Sequence, residues 1–204
     1  MKKLIIVIII FVFAKTYAQV TFQKTFRISD TTRTIGTYVQ QTADSGYIVT
    51  GHTIDLVGII NDIFLTYLDI NGNIIWTKTY GNPNSSEAAL YVEQTSDGGY
   101  IIAGGFASFT TKFDIYLLKT DAQGDTIWTR SIGKFGWESS FSLHQTADGG
   151  YIILGFTNGL GSNGSDIYLI KVNSLGNLLW TNGFYESGGY NIIAGSFQPT
   201  TDGG

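Results

Sequence analysis

Tryptophan recurs at a fixed interval in this chain: Trp76, Trp128 and Trp180 stand 52 residues apart, and so do Asp62, Asp114 and Asp166. Gln41, Gln94, Gln145 and Gln198 follow at intervals of 53, 51 and 53. The segments after the glutamines match closely: Gln41-Thr42-Ala43-Asp44-Ser45-Gly46-Tyr47-Ile48-Val49, Gln94-Thr95-Ser96-Asp97-Gly98-Gly99-Tyr100-Ile101-Ile102 and Gln145-Thr146-Ala147-Asp148-Gly149-Gly150-Tyr151-Ile152-Ile153. Self-similarity at one period constrains the fold more than composition does. Each copy is one supersecondary unit that cannot bury its apolar surface alone, so neighbouring copies must stack and share a core.

Each copy reads as four short strands. The first is expected at Tyr38–Thr42, Tyr91–Thr95 and Ser142–Thr146, and the Asp-Gly turn after it uses glycine for the positive φ of a tight hairpin. The second is expected at Tyr47–Thr50, Tyr100–Ala103 and Tyr151–Leu154, each closed by glycine. The third, at Ile63–Leu68, Ile115–Thr120 and Ile167–Val172, is apolar on both faces at its centre, as suits a sheet covered on both sides. A turn such as Asp69-Ile70-Asn71-Gly72-Asn73 leads to the fourth, Ile74–Tyr80, which holds the repeated tryptophan. Composition agrees: 26 glycines, 13 phenylalanines and 12 tyrosines favour strands and turns over a long helical bundle. With no cysteine and only 2 prolines, a disulfide scaffold, a cysteine zinc site and collagen are excluded.

The run from Ile101-Ile102-Ala103-Gly104-Gly105 through Asp121 to Trp128 resembles a kelch repeat. The Asp69…Gly72…Trp76 and Asp121…Gly124…Trp128 runs resemble the tryptophan-docking segment of quinoprotein propellers. The Gln-Thr-x-Asp-Gly-Gly-Tyr-Ile-Ile segment joined to Trp76-Thr77-Lys78-Thr79-Tyr80 is similar to propeller-like repeats of exported bacterial proteins, which often carry a C-terminal sorting domain. The resemblance implies an all-β fold, a β-propeller of four-stranded antiparallel blades. It divides the chain into a lone closing strand at 19–32, blades at 33–82, 83–134 and 135–186, and the start of another at 187–204. Phe22-Gln23-Lys24-Thr25-Phe26 matches Trp76–Tyr80, as when a first strand completes the last blade. Three blades and parts cannot close a ring of about four to eight, so the expectation is an incomplete ring whose further blades lie in a longer protein.

The first 18 residues read as a secretory signal peptide: Lys2 and Lys3, an apolar run from Leu4 to Ala14, and a polar exit ending at Ala18. That run is too short to cross about 30 Å as a helix, which takes about 20 residues. Cleavage before Gln19 would leave no membrane span and place the mature chain outside the cell or on its surface. It would also take three lysines from twelve basic residues, leaving nine against sixteen acidic ones, a net charge of −7. Such a chain is poorly suited to nucleic acid or an anionic membrane.

Residues present in every copy read as structural: Trp76, Trp128 and Trp180 as packing between repeats, Gln41, Gln94 and Gln145 as bridges, Asp44, Asp97 and Asp148 as turn caps. The Asp69 and Asp121 turns could be taken for calcium loops, but turn chemistry suits them better, since calcium needs about six oxygens at ordered spacing. No metal or cofactor is expected. His52 and His144 have no partner at ligand or triad spacing, and no glycine loop opens a helix. Glu87 and Glu138 occupy equivalent positions, and a glycosidase pair would depend on a separation that spacing does not give. Novelty is expected where the copies differ, in the loops Thr53–Asn61, Ala107–Phe113 and Thr157–Ser165. Phe106, Phe109, Phe113 and Trp137 add aromatic side chains there, the kind of surface used for binding on a rigid scaffold. The expected function is therefore a non-catalytic binding or adhesion module for an extracellular glycan or protein. The alternatives are an enzyme acting on extracellular polysaccharide, with its catalytic residues in further blades, and a structural spacer.

Overall fold

The computed structural model describes residues 33–54, 61–108, 113–133, 136–159, 165–184, 195–198 and 200 of the 204. The signal peptide, the lone strand at 19–32, Phe109 and most of 187–204 lie outside the described residues. Among those described, there is no helix and there are twelve strands, grouped in three four-stranded antiparallel sheets. The first holds β1 (Arg33–Gln41), β2 (Tyr47–Ile54), β3 (Asn61–Leu68) and β4 (Ile74–Tyr80), each paired with its neighbour in chain order. The second holds β5 (Ser85–Gln94), β6 (Tyr100–Ser108), β7 (Phe113–Thr120) and β8 (Thr126–Ile132). The third holds β9 (Glu138–Gln145), β10 (Tyr151–Thr157), β11 (Asp166–Val172) and β12 (Leu178–Phe184).

The first two strands of each sheet run further than expected from turns and glycines. Gly51, Gly104 and Gly155 lie inside the second strands, where a bulge on the first strand of the same sheet displaces the register at Thr37, Leu90 or Phe141. A Cβ on these glycines would collide with the carbonyl oxygen of Ile35, Ala88 or Ser139. The glycine thus admits a close backbone approach and does not end the strand. A second bulge recurs between the third and fourth strands, at Ile75, Ile127 and Leu179.

The sheets pack face to face by one rule. β5 lies against β1, β2 and β3, and β9 lies against β5, β6 and β7. The second sheet is therefore covered on both faces, and consecutive pairs such as Ile101-Ile102 and Leu117-Leu118 are fully buried. In the first sheet β2 instead alternates between buried and half-buried positions. Each buried isoleucine or leucine of this kind contributes about 1.5–3 kcal/mol, and these two shared cores carry most of the stability.

Trp76 reaches across to the second sheet, 6.0 Å from the Tyr100 ring and within 3.0 Å of where a Cβ on Gly124 would stand. Trp128 repeats this one sheet on, 6.1 Å from Tyr151 and against Gly176. Gly124 and Gly176 have φ near +79° and +75°, so their turns use the left-handed conformation and offer a flat face to the indole. Trp180 is 42% exposed.

Candidate functional site

The polar residues of the repeat are engaged with one another. Gln94 donates its amide N–H to Gln40 Oε1 (2.7 Å), and its own Oε1 accepts from the Ala43 amide (2.8 Å). One sheet on, the Gln145 amide donates to Glu93 Oε1 (2.9 Å) while Gln145 Oε1 accepts from Ser96 (2.8 Å). Asp97 Oδ1 accepts from the Thr95 hydroxyl and the Gly99 amide, and Asp148 does the same with Thr146 and Gly150. Buried Lys119 and Lys171 pair with these carboxylates at 3.0 and 2.9 Å. At Asp97, partial burial opposes ionisation, but Thr95, Lys119 and Gly99 together hold the carboxyl below its ordinary range. Lys171 and Thr146 hold that of Asp148 far below it. Asp69, Asp121 and Asn173 turn their Oδ1 onto two backbone amides of their own turns. No group of three or more metal-binding side chains occurs among the described residues.

The loop aromatics divide between the two faces of the second sheet. Phe113 points toward the third sheet and meets Trp137, with ring centroids 5.1 Å apart and planes inclined at 44°. Both stay open to solvent, at 40% and 53% exposed. Trp137 is fixed by Asn158, whose Oδ1 accepts from the Trp137 amide (2.8 Å) and whose amide donates to the Trp137 carbonyl (3.3 Å). Nothing in the repeat pattern marked Asn158, because it lies on a strand end 21 residues from the tryptophan it holds.

Phe106 turns the other way, toward the first sheet, and stacks on Tyr116 at 5.8 Å and 20°. The two rings line a cleft of about 550 Å³ between the sheets, with Tyr80, Thr129, Arg130 and Ser131 around them and Glu87 in its wall. Glu87 is buried, at 3% exposed. Its Oε1 accepts from the Ser85 hydroxyl (2.5 Å), while Oε2 is buried without a hydrogen-bond partner among the described residues. Burial pushes the Glu87 carboxyl up from its ordinary range and Asp62 raises it further, against the pull of the Ser85 hydroxyl and the Asn82 backbone. Lateral pairing sets Glu87 beside Phe106, as it sets Glu138 beside Thr157.

A third cluster runs along the first strands. Tyr38 and Tyr91 rings lie 4.2 Å apart, His144 follows edge-on to Tyr91, and Phe197 edge-on to His144 at 5.0 Å. His144 Nδ1 stands 2.8 Å from Glu93 Oε2, and its Nε2 stands 2.9 Å from the Phe197 carbonyl. A cavity of about 500 Å³ opens beside this row. His144 thus has a carboxylate partner 51 residues away, a distance in sequence that only the stacking of repeats closes.

Comparison of the whole chain with protein-family models finds no match, and comparison with curated proteins finds none.

Proposed function

We propose that this chain forms part of an exported β-propeller that serves as a non-catalytic binding or adhesion module at or beyond the cell surface, with an extracellular glycan as its ligand. The propeller reading is supported by the repeated packing of each sheet on the one before it, since one relation applied again and again generates a ring or a superhelix. Trp76 and Trp128 each dock on a turn glycine of the following sheet, and a further blade would give Trp180 the same seat. Export rests on the leader, with Lys2 and Lys3 ahead of the apolar run.

The observation that carries the binding reading is the Phe113–Trp137 pair. Two large rings from neighbouring sheets are exposed together, and Asn158 holds the backbone that carries one of them. Large exposed rings, one of them on a backbone held in place, suit stacking on the C–H faces of a sugar, because they offer much contact area for few rotatable bonds. The test is a glycan array probed with the secreted chain and its Trp137→Ala variant. Binding of a defined glycan class, lowered about tenfold or more by the substitution, is the expected result. A wild-type chain that binds no glycan, or a variant that binds as well as wild type, overturns it.

A further inference from the structure

We propose that the cleft between the first and second sheets is a binding site for a primary ammonium group carried on a compact frame, anchored by the Glu87 carboxyl and walled by the stacked Phe106 and Tyr116 rings. Glu87 is almost wholly buried, yet Oε2 accepts no hydrogen bond among the described residues. A buried carboxyl oxygen without a donor is costly, and native structures seldom leave one unless a ligand or an ion completes it. The neighbouring repeat serves its equivalent Oε1 from a different set of donors. In the third sheet, Glu138 Oε1 accepts from the Thr157 hydroxyl (2.9 Å) and the Gly136 amide (3.0 Å). Threonine also occupies the equivalent place in the first sheet, as Thr53, whereas the second sheet has Phe106. That departure puts an aromatic wall beside the carboxyl, whose Oε1 accepts from Ser85 in place of a threonine of the second strand.

The charges around the cleft indicate which donor fits. Asp62 adds a second negative charge near Glu87. The faces of Phe106 and Tyr116 attract cations through their ring quadrupoles. Arg130 lines the cleft, but its guanidinium lies over the Trp128 ring at 5.6 Å and donates to the Thr129 carbonyl (2.7 Å), so its charge is tied to its own strand. A neutral hydroxyl would satisfy Oε2 and leave the charge uncompensated. An ammonium group does both, and charge-assisted hydrogen bonds are about twice as strong as neutral ones. The volume of about 550 Å³ admits a small amine, an amino sugar or a lysine side chain of a partner. This cleft faces away from Phe113 and Trp137, so it stands or falls apart from glycan binding there.

The test is a titration of the full chain with n-butylammonium and, as the neutral control of like shape, n-butanol, followed by amide chemical shifts. Butylammonium should bind about tenfold or more tightly than butanol, and the difference should vanish in Glu87→Gln. Phe106→Thr, which restores the residue of the neighbouring repeats, should weaken butylammonium several-fold by removing the aromatic wall beside Glu87. Equal affinity for the two probes, or unchanged butylammonium affinity in Glu87→Gln, overturns the proposal. Should Glu87→Gln fail to fold, unchanged affinity in Phe106→Thr overturns it.

Discussion

Glu87 and Glu138 hold the same place in successive repeats and live in different chemistry. Both are buried at the start of the first strand of a sheet, beside a residue of the second strand. In the third sheet that neighbour is Thr157, whose hydroxyl serves the carboxylate. In the second sheet it is Phe106, which stacks on Tyr116, and Glu87 Oε1 accepts from the Ser85 hydroxyl instead. A repeat makes the comparison nearly free of other variables, because bulges, register and strand order are the same in both sheets. One residue therefore decides whether the buried carboxyl stands beside a hydroxyl or beside an aromatic ring.

The largest effect should come from forcing the third sheet to copy the second. Thr157→Phe would strip the hydroxyl from Glu138 and place a ring at a site 1% exposed, so a loss of about 3 kcal/mol or more in thermal or urea unfolding is expected. A loss below about 1 kcal/mol would mean that the third sheet already has room for a cleft. Next in size is the contrast between Glu138→Leu and Glu87→Leu. The first leaves the Thr157 hydroxyl and the Gly136 amide without their acceptor and should cost about 2–3 kcal/mol, while the second removes a carboxyl whose charged form burial already disfavours and should cost less. Equal costs would erase the distinction between the two positions.

The pH dependence sharpens the same contrast. Burial raises the Glu87 carboxyl above its ordinary 4.5, so the folded state holds its proton more tightly than the unfolded chain. Its contribution is fully present below about 4.5 and is lost as pH rises through the folded value. Glu87→Leu should therefore gain stability relative to wild type as pH climbs past that range. Asp148 has the opposite sign: Lys171 and Thr146 lower it, so its stabilisation is present above 3.8 and is lost as pH falls through the folded value. Unfolding curves of Asp148→Asn and wild type should converge in acid. Parallel pH profiles for Glu87→Leu and wild type would contradict the assignment. The smallest effect concerns Ser45, which takes φ 71° where the other two repeats have Gly98 and Gly149. Ser45→Gly should raise stability by about 0.5–1 kcal/mol in thermal unfolding, with no change in binding.

Much of the architecture is legible along the chain. The Asp-Gly turns announce the hairpins, and strand positions from Tyr47, Tyr100 and Tyr151 onward follow from period-two patterning and β-branched residues. The strand lengths were not legible, because Gly51, Gly104 and Gly155 read as terminators until the bulge beside each one is seen. Of the aromatic residues singled out in or near the variable loops, Phe109 lies outside the described residues, Phe113 meets Trp137, and Phe106 lies on the opposite face of the second sheet from Phe113. Alternation along a strand tells that two residues face apart only when the strand's limits are known, and Phe113 lay at such a limit. Asn158 and Tyr116 carried no signal of their own; each gained a role from what packs on it.

Sequence alone determined the repeat, the β class and the turn chemistry, since these depend on residues within one period and on local backbone preference. It also placed Glu87 and Glu138 at one equivalent position. Which donor serves each of them was decided only in three dimensions, because the Thr157 hydroxyl comes from a strand 19 residues on, brought alongside by antiparallel pairing. The partnership of His144 with Glu93 and the seat of Trp128 on Gly176 were decided the same way, by stacking one sheet on the next. Local patterns fix how a chain turns and pleats; the contacts that satisfy or expose a buried charge form between segments that no local pattern links.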